Sequence, residues 1–213
     1  MRLSPQRFNQ QLADQGQRML WQRARVCPCR ESHSGGAKED CPICDGRGTF
    51  WDKGIPTRAG VVGAKILREF AAFGAWEDGD VMVSIPSNTP MWNAGENDRV
   101  VFADGHQPFQ VVMRHNSTAK LRFPLLRIER CFWLGPNGST VLECTAPRVD
   151  PDTGALSWLD LTQAPDPGAQ FTIAGQRRPE YFLWRYIPVS RAHYNGLDFP
   201  KRATLKPFDL FKG

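Results

Sequence analysis

Four cysteines lie close together near the start of the chain, and they constrain its local fold more than any other feature. Cys27 and Cys29 are separated by one residue. Cys41 and Cys44 are separated by two. A closely spaced thiolate pair can reach one metal ion without strain, and two such pairs complete the tetrahedral shell that zinc prefers. We therefore predict a closed, structural Zn²⁺ site in which protein fills all four ligand positions.

Other uses of these cysteines stay open. An iron–sulfur cluster takes the same thiolate ligands, and cysteines can also remain free or form disulfides. His33 lies between the two pairs and can replace one thiolate, although a solvated position is the simpler expectation. The loop at residues 30–40 has almost no apolar side chains, so it can close around an ion but cannot build a core.

The second cysteine pair continues into a turn that contains two glycines. Residues 41–48 read CPICDGRG, which resembles one zinc knuckle of the DnaJ-type cysteine-rich domain, whose unit is CxxCxGxG. Glycine suits such a turn because it adopts positive φ and lets backbone amides face the sulfurs. The resemblance does not repeat along the chain, so it implies a metal-binding turn and not a chaperone activity.

The composition is that of a folded globular protein. Of 213 residues, 41% are hydrophobic and 11% aromatic, which suffices for one domain or two small ones. No run approaches the roughly 18 apolar residues of a membrane span, and the first residues lack the apolar core of a signal peptide. We expect no membrane partner and a reducing cytosol, where clustered cysteines favour metal over disulfide bonds.

The net charge of +5 is distributed unevenly. Residues 1–30 carry six arginines and one acid, and residues 176–213 carry eight basic and three acidic side chains, so the middle is acidic. Basic ends around an acidic body suit contact between copies of the chain, and they also suit nucleic acid. The rival interpretation is a zinc-dependent nucleic-acid-binding protein, which the acidic middle disfavours. Its phosphate contacts would come from Arg18, Arg23, Arg25, Arg30 and Arg47.

One helix and a series of strands are predicted. Ser4 and Pro5 suit a helix N-cap and first turn, and apolar residues recur near one face as far as about Ala24. From Thr49 onward, short β-branched or aromatic runs are bounded by Gly, Pro and Asn, which is typical of strands. The runs are 49–51, 61–73, 80–85, 98–102, 107–115, 125–134, 140–145, 171–175 and 181–186, of which 61–73 is ambiguous between strand and helix.

One hairpin can be specified in register. The dipeptide Asn-Gly at residues 137–138 predicts a two-residue type I′ turn. Counting outward pairs Trp133 with Leu142 and Cys131 with Cys144, the latter as a non-hydrogen-bonded pair with closely spaced side chains. In a reducing cell we expect these two thiols to be free and packed as small hydrophobic groups, with a cross-strand disulfide as the alternative.

Sequence signals for catalysis are absent. No nucleophile elbow, P-loop, dinucleotide fingerprint or HExxH motif occurs in the chain. The histidines, none with a serine or cysteine partner that the sequence can place, are His33, His106, His115 and His193. We therefore expect a protein that is not an enzyme and has no catalytic residues.

The C-terminal residues combine aromatic, basic and proline side chains. Residues 178–185 alternate aromatic and charged positions, and residues 199–213 are expected to form an extended arm. Tyr, Trp and Arg carry much of the energy of protein interfaces, and proline lowers the entropy lost on docking. The alternative is an edge strand packed on its own domain. The candidate interface residues are Arg178, Tyr181, Trp184, Phe199, Phe208 and Phe211.

Several stretches carry a further resemblance. They are residues 79–86 (GDVMVSIP), 96–102 (ENDRVVF), 178–182 (RPEYF) and 205–209 (LKPFD). In style they resemble small virion proteins of tailed bacteriophages, above all those at the head-to-tail junction or the tail end. This implies a homo-oligomeric ring in the virion, assembled in the host cytoplasm and contacting portal, connector or tail proteins. We expect a head-to-tail connector or neck component, with a baseplate or tail-tip protein as the nearest variant.

The expected fold is mainly β, a β-barrel or β-sandwich with an N-terminal α-helix and a small four-cysteine zinc knuckle. Its expected divisions are a helical arm (1–26), the knuckle (27–50), a β-rich core domain (51–198) and the C-terminal arm (199–213). In this arrangement the knuckle fixes the angle at which the basic helix leaves the β domain.

Overall fold

The computed structural model describes residues 4–29, 31, 35–62, 77–116, 119–135, 137–187, 192–194 and 196–211. It is mainly β, with 45% strand, which confirms the expected fold class. In chain order the helix and strands are α1 (Pro5–Gln15), β1 (Gln17–Gln22), β2 (Ala24–Val26), β3 (Thr49–Trp51), β4 (Ile55–Val61), β5 (Val81–Ile85), β6 (Arg99–Phe102), β7 (Gln107–Arg114), β8 (Leu125–Leu134), β9 (Val141–Glu143), β10 (Arg148–Val149), β11 (Leu156–Ser157), β12 (Gln170–Arg177), β13 (Glu180–Ile187), β14 (His193–Tyr194), β15 (Leu197–Asp198) and β16 (Lys201–Pro207). Short 3-10 helices cover Pro90–Asn93, Leu161–Gln163 and Phe208–Leu210.

The chain forms two compact units. The first consists of Met1–Asp104 and Glu180–Gly213, and the second of Gly105–Pro179. These boundaries differ from the single β-rich domain expected at residues 51–198. Among the helices of the described part, none combines the length and the apolar character that crossing a bilayer requires.

Six strands of the first unit close into an antiparallel barrel, in the order β1-β4-β5-β16-β13-β6. Closure gives each strand two neighbours, so the barrel has no unpaired edge. Side chains alternate between the two faces of a strand, and the inward set forms an apolar core. Its fully buried members include Met19, Val83, Ile85, Met91, Val100, Leu183, Ala203 and Leu205.

Helix α1 is shorter than expected. It begins at Pro5, as predicted, but ends at Gln15 instead of near Ala24. Strand β1 follows almost at once, and its residues Met19 and Trp21 point into the barrel. The prediction was wrong because an apolar residue at position 19 fits both the apolar face of a helix and the alternating pattern of a strand. Pairing with β4 and β6 stabilises the strand.

The C-terminal segment forms a barrel strand. The expected extended arm at 199–213 was wrong, since β16 pairs with β5 on one side and β13 on the other. Ala203 and Leu205 are fully buried, so their alternation completes the inner face of the barrel. The 3-10 helix that follows buries Phe208.

Most of the other predicted strands are confirmed to within two residues, namely β3, β5, β6, β7, β8, β9, β12 and β13. The ambiguous run at 61–73 overlaps β4 only at its first residue, and residues 63–76 lie outside the described part. Strand β4 itself was missed. It contains Pro56 and Gly60, residues that are depleted in strands.

The second unit contains an antiparallel sheet in the order β7-β12-β8-β9. One face carries the buried side chains of Cys131, Phe171 and Ile173, and Trp133 and Trp158 pack against them. This unit therefore has an apolar core of its own.

The predicted hairpin joins β8 and β9, with Trp133 opposite Leu142 as expected. Cys131 and Cys144 also face each other, but they form a disulfide, with their Cα atoms 5.3 Å apart. The prediction of two free thiols was therefore wrong.

The hydrogen-bond alternation of this hairpin also differs from the prediction. The Cys144 amide donates to the Cys131 carbonyl (2.9 Å), and the Gly135 amide donates to the Thr140 carbonyl (2.9 Å). Both pairs are thus of the hydrogen-bonded kind. The turn that joins the two strands has more than two residues. The hydrogen-bonded pairs are therefore shifted by one residue from the pairs that a two-residue turn predicts.

A buried carboxylate links the barrel wall to the segment that leads into the cysteine cluster. Asp98 is 2% exposed. Its Oδ2 accepts hydrogen bonds from Trp21 Nε1 and the Gly95 amide (2.8 Å each), and its Oδ1 accepts one from the Ala24 amide (2.7 Å). A buried charge is tolerated when donors satisfy it in this way. Because Ala24 begins β2, these bonds fix the direction in which the chain leaves β1.

Replacing Asp98 by Asn should lower the free energy of unfolding by about 1–3 kcal/mol, because an amide N–H₂ would face donors that need an acceptor. Denaturant unfolding followed by tryptophan fluorescence measures the change. The control is Asp104→Asn, which removes an exposed ion pair with Arg18 and should change stability little because solvent screens such pairs. Equal effects of the two variants would contradict the role of Asp98.

Candidate metal centre

A two-stranded ribbon positions the first cysteine pair. Strands β2 and β3 are antiparallel, with Val26 opposite Thr49. The Cys27 amide then donates to the Gly48 carbonyl (2.7 Å), which continues the ribbon by one step. The two ends of the loop at 27–48 are therefore held together by backbone hydrogen bonds.

The second pair lies in a tight turn. The Cys41 amide donates to the Lys38 carbonyl (3.2 Å). The Asp45 amide donates to the Cys41 carbonyl (2.9 Å), and the Arg47 amide donates to the Cys44 carbonyl (3.0 Å). These bonds turn the backbone around the two sulfurs. Two intervening residues are therefore enough for both thiols to reach one metal ion.

Glycine is required in this turn. Gly46 and Gly48 have φ values of 79° and 69°, which confirms the positive φ predicted for both. A Cβ at residue 46 would also lie 3.2 Å from the Glu39 carbonyl oxygen. Both the backbone conformation and the available space therefore disfavour any side chain at this position.

The four thiols converge in space. Their Sγ atoms all lie within 4.8 Å of one another, with 3.8 Å between Cys27 and Cys41 and 3.4 Å between Cys29 and Cys44. One tetrahedral ion with metal–sulfur bonds near 2.3 Å holds its sulfurs about 3.8 Å apart. Three of these cysteines are buried and Cys29 is half-buried. The group thus has the donors and the spacing to bind one metal ion.

The thiols differ in their tendency to ionise. Hydrogen bonds from the backbone amides of Cys44 and Ile43 lower the pKa of Cys41 to about 6. A hydrogen bond with Cys27, together with burial, raises the pKa of Cys29 to about 12. Closely spaced thiolates repel one another, so a cation is needed for the whole group to lose its protons.

Aromatic side chains hold the ribbon against the end of the barrel. The Trp51 ring of β3 lies 5.0 Å from Phe208 and 5.3 Å from Phe211. The Arg99 guanidinium lies 4.7 Å from the centre of the Phe208 ring, and that of Arg47 lies 5.5 Å from it. Since residue 47 belongs to the cysteine loop and residue 99 to β6, Phe208 is contacted from both.

The candidate interface residues have contacts within the chain. Phe208 is buried, and the other five are half-buried. Further contacts join Tyr181 to Phe102, Phe199 to Phe8, Trp184 to Arg185 and Lys206, and the Arg178 amide to the Pro124 carbonyl. Internal packing thus accounts for the aromatic residues at 181, 208 and 211, and an interface role stays a prediction for all six.

The arginines near the cluster also have partners. These are Asp104 for Arg18, the Asn93 carbonyl and the Trp21 ring for Arg23, Asp52 for Arg25 and the Phe208 ring for Arg47. Arg30 lies outside the described residues. Two of these contacts are exposed ion pairs, which are weak, so the nucleic-acid interpretation stays a prediction.

The histidines do not join the cysteine group in the described part of the chain. His115 Nδ1 lies 2.6 Å from the Pro165 carbonyl oxygen, His193 pairs with Asp198, and His106 is exposed. His33 falls outside the described residues, so its use as a ligand in place of one thiolate stays a prediction.

Sequence reasoning missed Asp98 as a support of the site. It placed this residue only at the start of the strand run 98–102. The available signal was a carboxylate two positions before an apolar run, in DRVVF, where a charge close to a core requires hydrogen-bond donors.

Comparisons of the chain with protein-family models and with curated proteins found no match. Its role is therefore inferred from its residues and their geometry.

Gly46→Ala should weaken metal binding by at least about 1 kcal/mol, or roughly fivefold in affinity, because the turn must distort to admit a Cβ. Competition with a chromogenic chelator measures the affinity. The control is Gly95→Ala, where an added Cβ meets nothing within 4 Å. An unchanged affinity in Gly46→Ala would show that the turn geometry does not matter.

Proposed function

We propose that the cysteine cluster is a structural zinc site and that the chain is an architectural component of a tailed-phage virion, placed at the head-to-tail junction. One observation carries the proposal. Four thiols converge beside a ribbon that is fixed to a closed barrel, and their number is that of a complete tetrahedral shell. Such a site has no ligand position left for a reacting water, which is the mark of a structural and not a catalytic zinc.

Zinc is favoured by the donor set and the spacing. Four sulfurs at tetrahedral separation suit either zinc or a single iron. A cluster of several irons spreads its thiolate ligands further apart, whereas Cys27 and Cys41 have their Sγ atoms 3.8 Å apart. When bound, the ion supplies the attraction that holds four thiolates together.

The proposed role of the metal is to stiffen a loop that lacks a core. Apart from the cysteines themselves, only Ala37 and Phe50 are recorded as packing against the cluster in the described part. Metal binding therefore supplies much of the folding free energy of residues 27–48. The bonds from Asp98 and the packing of Trp51 then transmit this rigidity to the barrel.

The virion role rests on the resemblance of the strand segments and is compatible with the fold. We propose that copies of the chain assemble as a ring and contact portal, connector or tail proteins. A closed barrel that includes both the first strand, β1, and the last, β16, offers a rigid body for such packing. We propose the half-buried aromatic side chains of Trp184 and Phe199 as part of that interface.

Cys41→Ser should abolish metal binding, because a hydroxyl is a poor zinc ligand, while the barrel stays folded since its core lies elsewhere. Elemental analysis of the purified proteins should find one zinc per wild-type chain and almost none in the variant. Cys144→Ser is the control, because it breaks the disulfide of the second unit and should keep the metal. Unchanged metal content in Cys41→Ser would contradict the proposed site. Iron in the wild type would identify the bound metal as iron instead of zinc.

The virion proposal predicts a closed assembly of fixed stoichiometry. Native mass measurement and electron microscopy of the wild type should detect rings, and loss of the metal in Cys41→Ser should reduce the assembled fraction. A gel-shift titration at two salt concentrations is the counter-test. DNA binding that falls steeply with salt, without rings, would favour the nucleic-acid alternative instead.

A further inference from the structure

Among the described residues, the sheet of the second unit has one long edge that no other strand pairs with. Its two edge strands are β7 and β9. Strand β9 has three residues, and just beyond it the Thr145 amide donates to the Gln163 carbonyl (3.2 Å), while Trp158 Nε1 donates to the Thr145 carbonyl (2.9 Å). Strand β7 has eight residues. Within the described part of the chain, no hydrogen bond is recorded on its outer side.

The groups that face outward can be identified from the pairing with β12. The His115 amide donates to the Ala169 carbonyl (2.9 Å), which marks the first hydrogen-bonded pair beyond the strand end. Because such pairs alternate along an antiparallel ladder, odd-numbered residues of β7 bond to β12 and even-numbered ones point their backbone groups outward. Gln110, Val112 and Arg114 thus present N–H and C=O groups along the edge.

The edge carries few of the features that prevent strand addition. Natural edge strands are usually short, or carry charges, proline or bulges. In β7, Pro108 lies near the start and Arg114 at the end, and the residues between them are uncharged. Val112 is 64% exposed, so the stretch combines open backbone groups with an apolar side chain.

We propose that β7 pairs antiparallel with β7 of a second copy of this chain, around a two-fold axis near Val111. In this register Gln110 of each copy lies opposite Val112 of the other, and the two residues exchange both backbone hydrogen bonds. Arg114 lies opposite Pro108 of the other copy. Arg114 is the single charged residue of the strand, and in this register the Arg114 side chains of the two copies do not lie opposite each other. The edge is therefore self-complementary.

A second copy fits this edge better through β7 than through β9. A head-to-tail contact of β7 with β9 would be limited to three residues, because the bonds of Thr145 close that edge. Pairing of two β7 strands uses the whole eight-residue length and forms an isologous contact that closes on itself. The inference does not depend on the virion role. If rings form as well, this contact predicts an even number of chains.

Val112→Pro tests the contact. It removes an outward N–H while leaving the bonds to β12 intact, since proline is tolerated at strand edges. Val112→Thr is the control, because it keeps both the β-branched shape and the N–H. Sedimentation equilibrium at about 1 to 100 μM protein should show self-association of the wild type and the control. The dissociation constant should rise at least about tenfold in Val112→Pro.

A second variant tests the same contact without changing the backbone, in case Val112→Pro misfolds. Val112→Lys keeps the backbone donor and adds a charge at an exposed position near the two-fold axis, and it should weaken self-association in the same direction. Circular dichroism should show that the sheet remains folded in both variants. A wild type that stays monomeric over the whole range, or self-association that is unchanged in both variants, would overturn the proposal. Neither result would bear on the zinc site. A monomeric wild type would also contradict ring assembly, whereas unchanged self-association in both variants would leave assembly through other surfaces intact.

Discussion

Closure of the barrel is the constraint from which most of the first unit follows. Strand β1 must pair with β4 on one side and with β6 on the other, although β6 is distant in sequence. This places the end of β1 beside the start of β6, where Asp98 accepts bonds from Trp21 and Ala24. The segment that leads to the cysteines therefore leaves the barrel at a defined point and in a defined direction.

The same closure explains where the rest of the chain is inserted. Strands β1 and β4 are neighbours in the barrel, and the cysteine ribbon is the connection between them. Strands β6 and β13 are also neighbours, and the second unit, Gly105–Pro179, is their connection. Connections between paired strands tolerate long insertions because the cost of closing a loop grows slowly with its length. Each insertion then needs its own source of stability.

Local patterns predicted eight of the described strands and the convergence of the four cysteines, and long-range pairing accounts for two of the errors. The spacing of Cys27, Cys29, Cys41 and Cys44 is a local signal, and the structure brings all four together. The helical interpretation of residues 17–24 and the extended arm at 199–213 failed for a different reason. Each of these segments has one barrel neighbour about 80 residues away or more, with Val100 opposite Trp21 and Ile85 opposite Lys201, and a single sequence does not reveal such partners.

Local geometry decides whether the cysteines of this chain form a disulfide or a group that can bind a metal ion. The argument from a reducing compartment treated all of them alike and expected no disulfide. Cys131 and Cys144 are held opposite each other by a hairpin, with no further ligand recorded in the described part, so a bond between them is the available pairing. In the ribbon each thiol has three sulfur neighbours, and sharing one cation satisfies all four at once. On the proposed function, the first unit stabilises its insertion through a metal site, whereas the second unit has an apolar core and a disulfide across its hairpin.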